Sequence, residues 1–379
     1  MSERELLVVF SDDWGRHPSS CQYLVRELLS RHDVIWVDTI GTRPIRFDFY
    51  TLRRGIGKLA GWLKPSQKAI LDSAPKPEVW KPIMWPSFAS RFSRALNRRL
   101  LARGLIRRIG SRKPVVLTTI PVVADLVGVI LAKRWIYYCV DDFAVWPGLD
   151  GATLQAMEAE LVRKVDVLVA VSEPLQQKLK SHGRSSTLLT HGVDLDFWRN
   201  GENNPEGFDG VERPIVLFWG LVDRRLNLEW IAALAEKMAS GTIAFVGPRQ
   251  DVDPRLETIP RVKFFDAVPS QELSSLANAA SVLVMPYADL PVTRAMQPLK
   301  FKEYLATGKP VVASRLPSTV AWSDAADVVD SAEEFAAAVV KRTKIEADSA
   351  QLEARRRLDG ESWVAKAQEL ERLWRKESP

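Results

Sequence analysis

The chain has 379 residues, a formal charge of +6, two cysteines, 46% hydrophobic and 26% charged residues. This much apolar material excludes a largely disordered chain, and the length exceeds what one core usually organises, so two domains are expected. Cys21 and Cys139 are too few for a disulfide framework and fit no zinc spacing, no apolar run approaches the roughly 20 residues that span a bilayer, and the first ten residues lack the features of a signal peptide, so a cytoplasmic protein is expected.

In chain order, short β-branched runs alternate with helical patterns, the signature of parallel α/β units. Strands are expected at Glu5 to Phe10, Val34 to Asp38, Pro114 to Thr118, Trp135 to Val140, Val167 to Ala170 and Thr187 to Leu189. The rhythm restarts with Pro214 to Trp219, Thr242 to Val246, Val262 to Phe265, Val282 to Met285 and Pro310 to Ala313. Between the halves, Trp198 to Arg213 is rich in glycine, asparagine and proline and reads as a linker. The expected division is an N-terminal Rossmann-like domain over 1–197, a linker over 198–213, a second Rossmann-like domain over 214–357, and a C-terminal helix over 358–379 that returns to the first domain. Two doubly wound domains of this kind would face each other across a cleft at the carboxyl ends of their strands, where open α/β sheets bind ligands.

Between Arg91 and Lys113 there are nine lysines or arginines and no acidic residue. Phe88, Phe92, Leu96 and Leu100 recur every four residues, and Leu101, Leu105 and Ile109 continue a drifting stripe, so the region 88–109 reads as a basic amphipathic helix. Two readings stay open and are compatible: a surface helix whose stripe packs on a sheet, and a helix whose arginines meet anionic lipid. No nucleic-acid-binding module accompanies the charge.

The most informative segment is Met285-Pro286-Tyr287, followed by Thr293-Arg294-Ala295-Met296-Gln297-Pro298-Leu299-Lys300-Phe301-Lys302-Glu303-Tyr304-Leu305-Ala306-Thr307-Gly308-Lys309-Pro310-Val311-Val312. It resembles the glycosyltransferases of the two-Rossmann-domain (GT-B) class, especially family 4 and the bacterial exopolysaccharide and teichuronic-acid enzymes, with their Pro-x-Lys-x-x-Glu-Tyr-Leu-Ala-x-Gly-Lys-Pro-Val-Val stretch. Thr190-His191-Gly192-Val193-Asp194 is similar to a second segment of that family. The resemblance implies a nucleoside diphosphate sugar, with UDP or GDP, as co-substrate, no separate cofactor, and a hydroxyl of a lipid-linked or polymeric glycan as acceptor. It also implies that the enzyme works at the inner face of a membrane.

Physical reasoning points the same way for the donor. A helix beginning near Pro298 directs its first N–H groups and positive dipole end toward an anion, and Lys300 adds a full charge. Glu303, three residues on, is suited to accept the ribose hydroxyls, its alternative being a first-turn cap; Lys300 has the alternative of a solvated lysine. Tyr287, just after a strand, is a further donor-binding candidate, while Tyr304 reads as core. After the strand ending at Trp219, Gly220 and the pair Arg224 and Arg225 match the family's phosphate loop; either arginine could bind diphosphate oxygens, with Arg224 preferred. Gly247 marks a loop near the base, or an ordinary turn.

The sequence departs from family 4 at Ala295, where many members carry a second glutamate. The catalytic question therefore moves to the first half, where Asp141 and Asp142 end a strand. A xanthan-type glucuronosyltransferase is similar in this stretch, which implies Asp141 as the base of an inverting reaction; either aspartate could instead cap the following segment. Asp13, Trp14 and Arg16, after the first strand, are candidate acceptor contacts. His17 is a weaker catalytic candidate, and His191 could bind or merely order its loop. With no Asp-x-Asp pattern at a strand end in the second half, no metal is expected. Competing functions on the same plan are a nucleotide-sugar epimerase or phosphorylase and a non-enzymatic sugar-binding protein. A dinucleotide oxidoreductase is disfavoured because no Gly-x-Gly-x-x-Gly follows the first strand.

Overall fold

A computed structural model describes residues 4–16, 18–38, 75–146, 148–200 and 208–375. The chain divides into two compact units, one of residues 1–189 with 367–379 and one of residues 190–366. Residues 190–197 thus group with the second unit, eight residues earlier than the expected linker, and the larger part of the helix Trp363–Arg375, from Ala367 on, groups with the first. Most of the glycine- and asparagine-rich stretch expected as linker, 201–207, lies outside the described residues.

The first unit holds a seven-stranded sheet of β1 (Glu5–Ser11), β2 (His32–Asp38), β3 (Glu78–Trp80), β4 (Val115–Thr118), β5 (Arg134–Cys139), β6 (Val167–Ala170) and β7 (Thr187–Leu188), ordered β3-β2-β1-β4-β5-β6-β7. Every neighbouring pair is parallel. Such strands must bury both faces, which is why β1 reads as the unbroken apolar run Leu6 to Phe10, all buried. β3, with three residues, is too short for periodicity to reveal.

The second unit repeats the plan with β8 (Ile215–Trp219), β9 (Thr242–Val246), β10 (Val262–Phe265), β11 (Val282–Met285), β12 (Val311–Ser314) and β13 (Asp327–Val329), ordered β10-β9-β8-β11-β12-β13. In both sheets the first strand of the unit lies between its second and fourth, so the winding direction reverses there and the following loops diverge around a crevice. Each unit is thus a doubly wound, Rossmann-like α/β fold, as the strand pattern predicts. In the second sheet the switch point lies between β8 and β11, which carry Gly220 and Tyr287 just beyond their ends.

The basic helix spans Arg91–Ile109, with Ser90 and Ser93 capping its first turn. Phe88 precedes it and is buried, but Phe92 and Leu100 are exposed. The buried face is instead Ser93, Asn97, Leu101, Leu105 and Ile109, a neighbouring row with the same four-residue spacing, because only one side of the helix packs inward. The helix Trp363–Arg375 ends against β2: His32 Nε2 lies 3.0 Å from Glu371 Oε1 and its ring meets Trp374 edge-on.

Candidate functional site

The donor candidates converge at the β8–β11 switch point. Asn227 N–H donates to Pro286 O and Ala288 N–H to Arg225 O, so the loops after the two strands are stitched together. The helix Leu299–Ala306 starts beside them with Pro298 as its N-terminal cap residue. Proline suits this position because its fixed φ leads into the helix without a donor to satisfy, and the first-turn N–H groups have no acceptor inside the helix.

Lys300 is not a solvated lysine. Its Nζ donates to Tyr287 Oη at 3.0 Å and lies 4.1 Å from the centroid of the Phe218 ring. The ammonium is thus held at the end of β8 by an aromatic face and a phenol, neither of which neutralises it. Glu303 belongs to the second turn of the helix, so it is not a first-turn cap. Burial pushes its carboxyl up to about 7, against the opposing influence of a bond from Trp219 and the charge of Lys300. Tyr304 is core: it is buried, and its hydroxyl accepts the Trp219 N–H at 3.1 Å.

Two glycines make this packing possible. Gly220 has φ +122°, and a Cβ there would stand 2.4 Å from Lys300 Nζ. Its own N–H donates to Val246 O, so the residue contributes the space that Lys300 occupies rather than an amide for phosphate. Gly247, at φ +141°, would place a Cβ 2.3 Å from Gly220 O, which favours a packing role over contact with a base.

The two loop arginines separate, in the opposite sense to the sequence preference. Arg224 points outward and pairs with Asp251 at 2.9 Å, both side chains well exposed. Arg225 is largely buried, accepted by both Asp223 carboxylate oxygens at 2.9 Å, with its guanidinium 5.6 Å from the Tyr287 ring centroid. Arg225, not Arg224, therefore shares Tyr287 with Lys300. The correction needs tertiary structure, since adjacent loop residues leave on opposite sides. Ala295, where many family 4 members have glutamate, is buried and ends the short helix Pro291–Ala295.

His191 lies buried in the same unit. Burial and the nearby charge of Lys302 hold its pKa down, to about 3, so it is neutral. Its carbonyl accepts from Lys302 Nζ, which also contacts Glu361 and donates to Thr190 Oγ1. Lys366 Nζ reaches Glu361 at 2.8 Å and Thr190 Oγ1 at 3.2 Å. Asp194 caps the helix Leu195–Arg199. Sequence reasoning missed this cluster because its members are up to 176 positions apart.

In the first unit, Asp142 Oδ1 accepts Lys178 Nζ at 2.7 Å and the Ala144 N–H at 3.1 Å. Lys178 also meets the buried Glu158 at 2.5 Å, whose other oxygen accepts the Tyr137 hydroxyl at 2.6 Å. Asp142 is thus bonded both to Lys178 and to the backbone of the following turn. Asp13 and Arg16 form an exposed pair at 3.0 Å. Trp14 donates its N–H to Asp38 and packs edge-on against Trp36. His17 lies outside the described residues. Among the described residues, no group of three His, Cys, Asp or Glu side chains could hold a metal ion, and no helix is long and apolar enough to cross a membrane.

Residues 213–344, all within the second unit, match the family model described as glycosyl transferases group 1. The likeness to that family is therefore carried by the second unit, the match covering about a third of the chain. The chain is also similar to TuaH of Bacillus subtilis (strain 168), named for a glycosyltransferase role in teichuronic acid biosynthesis, at 26% identity over 176 residues. That match spans 44% of each chain, so under half of the relative's length is covered. Among solved structures, sucrose-phosphate synthase from Thermosynechococcus elongatus superposes with a TM-score of 0.73 at 16% identity, covering 98% of both chains. Anabaena HepE in complex with UDP has a TM-score of 0.64 at 14% identity, covering 97% of this chain and 98% of that one. These likenesses carry the fold. The resemblance drawn from Pro298 to Val312 is borne out.

Proposed function

We propose that the chain transfers a sugar from a nucleoside diphosphate donor, UDP-linked, to a hydroxyl of a polymeric or lipid-linked glycan. The observation that carries this is the meeting of Lys300 and Arg225 on Tyr287, at the switch point of the second unit and at the start of the helix Leu299–Ala306. Two cations and a helix N-terminus meet the charge that develops on a departing diphosphate, without a metal ion. Glu303, one turn further along, accepts the ribose hydroxyls. The UDP in the HepE complex and the teichuronic acid role in the name of TuaH support this choice of base and acceptor.

For the acceptor we propose Asp141 as general base in an inverting displacement: it takes the hydroxyl proton as that oxygen attacks the anomeric carbon and the diphosphate leaves with the bonding pair. Ala295, which offers no sugar-side carboxylate, supports this assignment over the family 4 pattern. The membrane-facing role proposed for 88–109 would bring the chain to such an acceptor.

Isothermal titration with UDP, GDP and ADP tests the donor half: UDP is expected to bind the native chain and to bind Lys300→Ala and Glu303→Ala at least roughly tenfold more weakly. Equal affinities would remove the donor site. Consumption of a UDP-sugar without an acceptor, to an epimerised product, would favour the epimerase reading instead.

A further inference from the structure

We infer that the outer face of the helix Arg91–Ile109, with the short loop before it, is a docking surface for an anionic lipid bilayer. Among the described residues, eight of the thirteen exposed large apolar side chains fall between Val79 and Leu131, all in the first unit. Phe92 is 80% exposed, Ile83 86% and Leu131 74%, values far from those of an ordinary surface helix with its apolar stripe turned inward. The helix is therefore apolar on two sides: Leu101, Leu105 and Ile109 pack inward, while Phe92 and Ile106 point out.

The charges follow the same division. The inward Arg94 is neutralised by Asp125 at 2.6 Å and Glu160 at 2.6 Å. Arg98, Arg99 and Arg103 are exposed and form no ion pair among the described residues. Phe92, Arg99, Arg103 and Ile106 follow one another at intervals of seven, four and three residues, which places them on a single stripe. An open groove of about 610 Å³ lies at the Phe92–Arg99 end of it, lined by Phe92, Leu96, Arg98, Arg99 and Val129. Arginines beside aromatic and aliphatic side chains suit a phosphate headgroup above and an acyl boundary beneath, whereas a nucleic acid would leave the apolar groups without a partner.

The adjoining loop is held rigidly. The buried Asn97 accepts the Trp85 N–H at 2.7 Å and donates to Trp85 O at 2.9 Å and Ser87 O at 3.1 Å. Trp85, 54% exposed, is thus presented beside the helix by a fixed backbone, which lowers the conformational entropy lost on docking.

The surface belongs to the first unit and stands apart from the donor reading, and the experiment keeps the two separate. Co-sedimentation is measured with vesicles of phosphatidylcholine alone and of phosphatidylcholine mixed equally with phosphatidylglycerol. Binding is expected to the anionic vesicles only, and to weaken as salt is raised. The combined variant Arg98→Ala, Arg99→Ala, Arg103→Ala is expected to lose roughly a hundredfold in affinity, about fivefold for each arginine. Phe92→Ser is expected to lose roughly tenfold. Unchanged melting and unchanged UDP titration confirm that the variants fold. Because Cys21 and Cys139 are buried, Phe92→Cys can also carry a polarity-sensitive dye, whose emission is expected to shift to the blue on anionic vesicles alone. Binding to neither vesicle, equal binding to both, tighter binding to duplex DNA, full affinity in the arginine variant, or no dye shift would each overturn the inference.

Discussion

Gly220 and Lys300 occupy one space: a Cβ on residue 220 would stand 2.4 Å from the lysine Nζ, and the backbone there has φ +122°. Gly220→Ala is therefore expected to displace the ammonium from Phe218 and Tyr287 and to weaken UDP binding roughly tenfold or more, the loss of one charge-assisted hydrogen bond. Titration calorimetry reads this directly. Gly247→Ala meets backbone instead, so its expected effect is a loss of about 2–4 kcal/mol in folding stability, measured by denaturant unfolding.

The loop arginines give a sharper contrast. Arg225→Ala should cost about 1.5–3 kcal/mol of UDP binding, because its guanidinium is fixed beside Tyr287, whereas Arg224→Ala should leave binding within about 0.5 kcal/mol. The opposite ranking would move the diphosphate to the outer side of the loop.

Burial holds the Glu303 carboxyl near 7, so the folded chain retains a proton that the unfolded chain releases from about pH 4.5 upward. Stability from this group therefore falls as pH rises from about 4.5 to about 7, and stays lower above that. Glu303→Gln is expected to be more stable than the parent near pH 8, by on the order of 2–3 kcal/mol, and indistinguishable from it near pH 4. The same variant should bind UDP more weakly. Melting curves at the two pH values separate the effects.

Lys302 reaches Glu361, Thr190 and the His191 carbonyl from a buried position, and burial draws its pKa down to about 8 despite Glu361. Lys302→Met should destabilise the second unit by about 2–4 kcal/mol at neutral pH, since it leaves buried acceptors without their donor. His191→Asn, by contrast, should leave the pH dependence of activity unchanged, because this histidine is neutral throughout the working range.

In the first unit, Asp142→Asn should disturb folding more than Asp141→Asn, since Asp142 shares Lys178 with Glu158. Asp141→Asn is expected to lower turnover by a factor on the order of a hundred or more while leaving UDP binding intact. A variant at Asp141 with full turnover would remove it as base.

Alternating β-branched runs determined the two parallel sheets, because a strand buried on both faces must be apolar along its length, and eleven such runs stand out in the chain. The Pro298 to Val312 stretch likewise stood out as a motif, since helix start, lysine and glutamate lie within six residues. Short β3 and β13 left no such mark. Nor did the partners of neighbouring residues: Arg224 pairs with the exposed Asp251, whereas Arg225, one position on, is held by Asp223 beside Tyr287. The outward turn of Phe92 was hidden too, because periodicity reports that a helix has an apolar stripe but not which stripe the sheet covers. Local spacing, then, decided the elements and the donor motif. Only tertiary structure, through burial and partners far apart in the chain, decided which of the charged side chains are bound up in the fold and which stand at the site.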